Sequence, residues 1–267
     1  MCHPRSTSCP HPFGLVLRPE DIKDPNHPFP EDLAALVKRH TFLLIRGVEI
    51  SDEQFFAMTE RLGPPLQYAF GKVLNMEARR DATESQFSHA RMALHQDAIL
   101  NKNTNAAFLT IKCKVAPKRG GGETLFTNNR RFLEIAPAAL IEQLRSVTIR
   151  YRSMAQGYYD GDGGASGLIE QKAIVPHPRT GEEVLYIGLD DPDDPRRNYQ
   201  ATVVGYSEAE SRRFMDEIDR VLRDPEVMYT HAWQEGDVII WDNFLACHGR
   251  NPFHKDDQRR LIRVAIT

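Results

Sequence analysis

The sequence predicts a mainly β fold with flanking helices (α+β), of the double-stranded β-helix or jelly-roll type. One observation is a series of short apolar runs, typical of buried strands, that lie between a few helical segments. A second is the distribution of metal-binding residue types, with an isolated early His-x-Asp and a late His. Short strands between inserted helices are typical of a jelly roll. Since periodicity alone does not select this topology, the prediction rests on both observations together.

The composition bounds the class of protein. The 267 residues suffice for one domain with a sizeable core, and 41% hydrophobic with 27% charged residues is ordinary for a globular protein. A net charge of −3 gives no basic excess for nucleic acid or for a membrane surface. No apolar run approaches the ~20 residues of a transmembrane helix. The four scattered cysteines form no disulfide framework, which favours a reducing cytoplasm.

The N-terminal part predicts an arm followed by a helix–strand–helix unit. Residues 1–30 are rich in Pro, His and Ser and predict a flexible or loosely docked arm. Residues 31–39 predict a short helix, and residues 41–45 a buried strand. Ser51 to Gln54 form a capping box, which predicts the start of a second helix.

The middle of the chain predicts strands and loops. Residues 65–94 predict a strand and a loop, and the loop is a lid candidate because it leads into the His-x-Asp segment. Residues 106–115 are strand-like, and the glycines at 120–122 predict a turn into another strand.

Two further helices are predicted around a second loop region. Asn128 or Asn129 is expected to cap a helix that extends to Leu144. Residues 155–200 hold two clusters of turn residues and predict a second lid. Ser207 to Glu210 form another capping box, which predicts a long helix.

Residues 233–263 carry the strongest functional signal. After a Gly-Asp turn, the apolar run Val238 to Trp241 predicts a buried strand that leads towards His248. Eleven residues beyond His248, a further run brings in Arg259 and Arg263.

Three residues together predict a metal site. His95 and Asp97 are one residue apart, and on a strand such positions face the same side, so they can bind one ion together. A lone histidine such as His248 is more often a structural residue. With the other two, however, it completes two imidazoles and one carboxylate, a set that suits a non-haem Fe(II) oxygenase.

These motifs resemble those of the Fe(II)/2-oxoglutarate dioxygenases of the taurine dioxygenase (TauD/TfdA) family. That pattern is a His-x-Asp, a distal His after a Gly-Asp-hydrophobic-Asp-Asn strand, and an Arg shortly beyond. The resemblance covers residues 30–267 and, within the family, is greatest to carbapenem synthase. It implies a clavaminate synthase-like jelly roll over residues 31–267, with Fe(II), 2-oxoglutarate and O₂. The expected reaction oxidises a small polar metabolite, in secondary metabolism, by hydroxylation, desaturation, epimerisation or cyclisation.

The resemblance also implies a binding site for 2-oxoglutarate. Arg259 stands where the family's cofactor arginine stands, and its planar fork can bind the far carboxylate bidentately. Thr124 matches the family's hydroxyl donor to the same carboxylate. Arg263 is four residues further on, so on a strand it faces the same side as Arg259, ~13 Å away, and can reach the iron end of the cofactor.

Three tyrosines match aromatic positions around the substrate in carbapenem synthase. Tyr68, Tyr159 and Tyr199 are expected to form the wall of the substrate pocket. Tyr159, which lies 35 residues after Thr124, is a candidate catalytic residue that returns a hydrogen atom to the substrate. The alternative for each tyrosine is amphipathic packing with a hydrated hydroxyl.

Two other functions stay open at the level of sequence. A non-catalytic metal-binding jelly-roll protein has no need of Thr124, Arg259 and Arg263 together. A hydroxylase of protein side chains usually holds the cofactor with a lysine on a different strand. The expected partner is a small-molecule substrate, with no nucleic acid and no membrane, and a homo-oligomer is compatible with the sequence.

Overall fold

The computed structural model describes residues 13–22, 24, 29–68, 71–100, 106–154 and 168–267. The helices in these ranges are α1 (Leu33–His40), α2 (Asp52–Leu62), α3 (Asn129–Ile135), α4 (Ala138–Ser146) and α5 (Glu208–Leu222), with single 3-10 turns at Pro19–Asp21 and Ser85–Phe87. The strands are β1 (Leu15–Leu17), β2 (Phe42–Ile45), β3 (Leu74–Glu77), β4 (Met92–His95), β5 (Phe108–Val115), β6 (Thr124–Thr127), β7 (Thr148–Ser153), β8 (Leu168–Lys172), β9 (Ile174–Pro176), β10 (Glu183–Leu185), β11 (Tyr199–Val203), β12 (Met228–His231), β13 (Val238–Asp242), β14 (His248–Arg250) and β15 (Arg260–Ile266).

Two sheets form the centre of the fold. One has the strand order β1-β2-β13-β5-β15-β3, and the other has the order β12-β6-β14-β4. Strands β3, β4, β5 and β6 alternate between the two sheets, and so do β13, β14 and β15. A three-stranded sheet, β11-β7-β8, and the pair β10-β9 lie beside them. The predicted mainly β architecture with flanking helices is therefore confirmed.

Aromatic rings fill the space between the two central sheets. Phe126, on the smaller sheet, lies 5.7 Å from Phe42 and 5.1 Å from Trp241, measured between ring centroids. Phe42 and Trp241 belong to adjacent strands of the larger sheet, and all three side chains are fully buried. This layer joins the two sheets directly behind the functional site described below.

Helices cover the outer faces of both sheets. On β2, Phe42 and Leu44 face the layer between the sheets, while Leu43 and Ile45 pack with residues of α1 and α2. Because both faces are covered, β2 is a continuous apolar run and shows no alternation. A separate cluster covers the smaller sheet and includes residues of α3, α4, α5 and the three-stranded sheet. In the described part of the chain, no helix has the length and apolar character needed to cross a membrane.

The predicted helix starts agree with the structure, but one predicted helix is two. Both capping boxes are formed, at Ser51 and at Ser207. Asn128 caps α3 by accepting hydrogen bonds from two backbone amides. The expected single helix to Leu144 is wrong, because Pro137 restricts the residue before it to extended backbone and α4 starts only after the proline.

The predicted N-terminal arm differs from the structure where it is described. Strand β1 pairs in parallel with β2, and Phe13 packs edge-on against Phe42 with the centroids 5.7 Å apart. Gly14 allows this approach, since a Cβ there would lie 2.2 Å from the Phe42 ring and its φ is +91°. Residues 13–22 are therefore part of the fold, and residues 1–12 lie outside the described ranges.

The two predicted lid regions contain more regular structure than expected. The 65–94 region includes β3, which pairs with β15, and β4, which pairs with β14. The described part of the 155–200 region contains β8, β9 and β10. In both regions only the connecting segments are loops, and their role as lids stays a prediction.

Candidate active site

Two adjacent strands bring the predicted histidines together. Strand β4 ends at His95, strand β14 begins at His248, and the two residues are direct partners in the antiparallel pair. Their ring centroids are 4.3 Å apart. The pairing of β4 with β14 thus brings together two histidines that are about 150 residues apart in sequence.

Asp97 joins them from a turn and not from the strand. Strand β4 stops at His95, and Asp97 is followed by Ala98 at a φ of +63°. Asn243 holds this turn: its Oδ1 accepts from the Asp97 amide at 2.9 Å and its Nδ2 donates to the Asp97 carbonyl at 3.0 Å. The two side chains lie close together as expected, but the expectation that they share a strand is wrong, because β4 ends at His95.

The three side chains converge on one point. Asp97 Oδ1 lies 3.6 Å from the Nε2 atoms of both His95 and His248. In the described part of the chain, this is the group of His, Cys, Asp and Glu side chains that could hold a metal ion, with all ligand atoms within 4.8 Å of one another. His95 Nδ1 lies 2.9 Å from the Ala93 carbonyl, which can only accept, so Nδ1 carries the proton and Nε2 is the available ligand.

The local charges favour the metal-binding protonation states. Burial acts to raise the pKa of the Asp97 carboxyl, but Arg263 and the two imidazoles outweigh it and hold that pKa well below its usual value. Burial, together with the neighbouring His95, lowers the pKa of His248 to about 3. At neutral pH the set therefore offers a carboxylate and a neutral imidazole, the forms that bind a metal. Its donor types fit Fe(II).

A second polar group lines the same cavity as these three side chains. Arg259 Nε donates to the Gly122 carbonyl at 3.0 Å, and its Nη2 donates to Thr124 Oγ1 at 3.2 Å. Trp233 Nε1 donates to the same hydroxyl oxygen at 2.9 Å. Burial, and then the nearby Arg250, lower the pKa of Arg259 to about 9, so it is still a cation at neutral pH.

Arg259 is therefore a buried cation whose described hydrogen-bond partners are neutral. It is 5% exposed, and no carboxylate of the described residues lies within 4.0 Å of it. A buried charge without a counter-charge is costly, so this position favours an anionic ligand.

The cavity also has an apolar wall. The metal-binding group, Thr124 and both Arg259 and Arg263 line it. Its apolar lining consists of Met76, Met92, Ala98, Ile99, Leu100 and Ile111. Gln86, Asn198 and Arg250 also line it, so a ligand in the cavity meets both polar groups and an apolar surface.

The predicted tyrosines differ in their placement. Tyr68 and Tyr199 line the cavity. The sequence predicted a loop at Tyr199, but Tyr199 is the first residue of β11. Its hydroxyl donates to the Leu189 carbonyl at 3.2 Å. Tyr159 lies outside the described residues.

One supporting residue of this region, Gln96, was missed by the sequence reasoning. It is fully buried, and its amide nitrogen donates to the Asn243 carbonyl at 2.8 Å while its oxygen accepts from the Ile187 amide at 2.7 Å. The residue between the two candidate ligands of His-x-Asp thus ties their backbone to two distant segments. Its position in sequence, between two candidate ligands, is the signal that could have indicated this role.

The fold and the donor set are those expected of an iron- and 2-oxoglutarate-dependent dioxygenase. The chain belongs to the taurine catabolism dioxygenase TauD, TfdA family, whose model matches residues 11–265.

Relatives and solved structures agree with this assignment. A 3-((Z)-2-isocyanoethenyl)-1H-indole synthase from Fischerella ambigua is 30% identical over 260 residues, which are 96% of this chain and 93% of the relative. A tyrosine isonitrile desaturase from Pseudomonas aeruginosa is 27% identical and covers 95% of this chain and 87% of the relative. A solved iron- and alpha-ketoglutarate-dependent oxygenase from an isonitrile synthetic pathway has a TM-score of 0.73 at 26% identity, with 96% and 86% of the two chains covered.

The chain is an oxidoreductase that uses Fe(II), 2-oxoglutarate and O₂, as predicted. Membership of this family argues against the non-catalytic alternative. The greater likeness to carbapenem synthase and the roles of individual residues stay predictions.

Proposed function

We propose that His95, Asp97 and His248 bind the Fe(II) ion. The proposal is supported by the convergence of their ligand atoms and by their protonation states. Iron bound there, with 2-oxoglutarate, supplies the oxidising chemistry for activation of O₂. The protein contributes the geometry: Arg263 Nη1 contacts Asp97 Oδ2 at 2.5 Å, so the other carboxylate oxygen is directed towards the imidazoles.

We propose that Arg259 and Thr124 bind the far carboxylate of 2-oxoglutarate. Thr124 Oγ1 already accepts hydrogen bonds from Trp233 and Arg259, so its own proton is available to donate to a ligand. Because the hydrogen-bond partners of the buried Arg259 are neutral, its charge favours binding of an anion there. Arg263, at the iron end of the cavity, is proposed to act near the other end of the cofactor, where it also holds Asp97.

The scaffold itself is proposed to be a double-stranded β-helix. In such a fold, successive strands pass back and forth between two facing sheets. The alternation of β3 to β6 and of β13 to β15 between the two central sheets supports this assignment. It explains why the site draws residues from both ends of the chain.

The proposed substrate is an isonitrile derived from an aromatic amino acid, and the proposed reaction is desaturation. One carbon–carbon single bond becomes a double bond, and the two hydrogen atoms leave with one oxygen atom of O₂ as water. The other oxygen atom enters succinate as 2-oxoglutarate loses CO₂. The observation that carries this choice is the apolar wall with Met76 and Met92, since methionine sulfur packs well against aromatic rings. The isonitrile relatives support it.

The test is succinate formation from 2-oxoglutarate with Fe(II), ascorbate and O₂. The isonitriles of tyrosine and tryptophan should each raise succinate at least tenfold over the rate without substrate, and the product should be lighter by two hydrogen atoms. Taurine serves as the comparison substrate, and His248→Ala as the inactive control. Equal succinate formation with taurine and with the isonitriles would reject the substrate class.

We also propose a cytoplasmic location. Cys113 and Cys247 are buried free thiols, and burial raises the pKa of each to about 12. Both are therefore packed and unreactive, which suits a reducing compartment.

A further inference from the structure

One stretch of the cavity wall is held in place mainly by polar contacts. We call residues 84–91 the cover segment. It contains the 3-10 turn Ser85–Phe87, and Gln86 lines the cavity. Ser85 and Ser88 are buried, yet no residue of the cover segment belongs to the three hydrophobic clusters of the described chain. Its position therefore depends on hydrogen bonds and a few ring contacts.

Among the described residues, Arg250 donates the largest number of hydrogen bonds to the cover segment. It lies on β14, two residues after His248, and is 4% exposed. Its guanidinium donates to the Ala90 carbonyl at 2.7 Å, to the Ser85 carbonyl at 3.0 Å, to Ser88 Oγ at 3.2 Å and to the Gln86 carbonyl at 3.3 Å. All four acceptors are uncharged, and all four belong to the cover segment.

A planar fork is needed for this set of contacts. The four acceptors are reached by three different nitrogen atoms, since Nε also donates to the Ala90 carbonyl at 3.2 Å. A lysine ammonium would place its three donors on a single atom and could not reach the same set. The donor geometry of Arg250 therefore fits the acceptors of the cover segment in its observed position, which we call closed.

The charge of Arg250 also favours the observed position of the cover segment. No carboxylate of the described residues lies within 4.0 Å of Arg250, and burial lowers its pKa to about 10, with Arg196 acting in the same direction. The guanidinium is a cation at neutral pH, and the segment's carbonyls replace the water that it would otherwise bind. Its second contact is the Phe253 ring, with the guanidinium carbon 5.7 Å from the centroid.

Other residues also contact the cover segment. The Phe87 carbonyl accepts from the Arg79 amide at 2.8 Å, and the Arg79 guanidinium carbon lies 4.6 Å from the centroid of the Phe87 ring. His89 packs against Phe253 with the centroids 4.7 Å apart, and its carbonyl accepts from the Phe253 amide at 3.1 Å. Arg91 is paired with Asp191. Between Ser85 and Ala90, Arg250 is therefore the contact that joins the segment to the strand of a proposed metal ligand.

We propose that Arg250 is a positioning residue that latches the cover segment over the cavity. The latch places Gln86 against the substrate and keeps water out, and so sets the affinity for the substrate. It does not set the affinity for 2-oxoglutarate, because the described hydrogen bonds of Arg259 and Thr124 are formed with residues outside the cover segment. The inference rests on the proposed function for the identity of the cavity. The latch itself is a property of the protein alone.

Hydrogen exchange tests the latch without any substrate. In Arg250→Lys, the amides of Phe87, Ser88 and Ala90 should exchange at least tenfold faster than in the wild type, while those of β5 and α5 should be unchanged. Ser88→Ala, which removes one acceptor of Arg250, provides a second variant and should give a smaller acceleration of about threefold at the amides of Phe87 and residue 88. The Ala90 amide is left out of this comparison, because it donates to Ser88 Oγ directly. Arg130→Met is the matched control, because Arg130 bonds the Lys38 carbonyl and Glu182 and should leave the cover segment unchanged.

Steady-state kinetics then distinguish a specific effect of Arg250 on substrate binding from a general loss of structure. In Arg250→Lys the KM for the isonitrile substrate should rise about tenfold, while the KM for 2-oxoglutarate and its anaerobic affinity for the Fe(II) protein stay within twofold. Unchanged exchange in the cover segment overturns the latch, as does acceleration spread over all peptides or a parallel rise of both KM values. If no isonitrile is turned over, the proposed substrate fails, and the exchange data still decide on the latch.

Discussion

Arg263 Nη1 lies 2.5 Å from Asp97 Oδ2, while the other oxygen of the same carboxylate lies 3.6 Å from the imidazoles of His95 and His248. The arginine thus occupies one carboxylate oxygen and leaves one for the metal. Both partners of this ion pair are about 90% buried, so the contact is little screened by solvent. Arg263 is therefore expected to control the orientation of a ligand that the sequence identified on spacing alone.

Replacement of Arg263 by Ala should weaken metal binding. The Asp97 carboxylate would lose its partner, and outer contacts of this kind contribute about 10–100-fold to metal affinity. Titration of the apoprotein with Fe(II) or Co(II) under anaerobic conditions measures the effect. The control is Arg260→Ala, because Arg260 is exposed on the same strand. Equal affinities of the two variants would contradict the proposed role.

Replacement of Arg259 by Ala should raise the KM for 2-oxoglutarate by at least 100-fold, with Fe(II) affinity unchanged. The far carboxylate would be buried without a counter-charge, which costs several kcal/mol. Thr124→Val should have a smaller effect of about tenfold, because it removes one hydrogen bond from an uncharged donor to the carboxylate and leaves the arginine in place. If KM stays the same in Arg259→Ala, the cofactor arginine has been chosen wrongly, and Arg263 is the next candidate.

The stability of the apoprotein should fall as the pH drops from about 7 to 5, partly because of His231. Burial lowers the pKa of this histidine, against the opposing effect of Asp237, while in the unfolded chain it stays near 6.5. Below that pH the unfolded state therefore binds a proton that the folded state does not, and stability decreases by at most about 1.4 kcal/mol per pH unit for this one group. His231→Gln should show a shallower pH dependence in urea unfolding. An unchanged slope would show that His231 is protonated in the fold.

Several parts of the fold and site were predictable because they depend on local pattern. The capping boxes at Ser51 and Ser207 and the buried run of β13 are signals within a few residues. The pairing of His95 with Asp97 was also predicted, although Asp97 is held by a turn. In contrast, the short strand β1 is defined by its partner β2, and three residues carry too little pattern to predict it.

Supporting residues were harder to predict because their partners are distant in sequence. Asn243 contacts Asp97 across 146 residues, and Arg250 contacts Ser85 across 165 residues. Neither residue type is unusual at its position, and only the strand pairing brings the partners together. The position of Tyr199 on a strand was hidden in the same way, because the preceding turn residues predict a loop.

Substitution of Tyr199 tests whether this residue only forms part of the cavity wall or also has a chemical role through its hydroxyl. Its hydroxyl donates to the Leu189 carbonyl, and its ring packs edge-on against Tyr151 with the centroids 5.5 Å apart. If the hydroxyl serves only as donor to the Leu189 carbonyl, Tyr199→Phe should keep activity within about threefold, the loss of one neutral hydrogen bond.

Gly188→Ala should be more harmful than Tyr199→Phe, although residue 188 does not line the cavity. A Cβ at position 188 would lie 2.2 Å from the Tyr199 hydroxyl and would force this side chain, which lines the cavity, to move. The KM for the substrate should therefore rise at least tenfold, and the KM for 2-oxoglutarate should change little because the described hydrogen bonds of Arg259 and Thr124 do not involve residues 188 and 199. The double variant Gly188→Ala/Tyr199→Phe removes the clashing oxygen and should recover part of the loss. If Tyr199→Phe alone abolishes turnover, the hydroxyl has a chemical role, and the interpretation of Tyr199 as a wall residue is wrong.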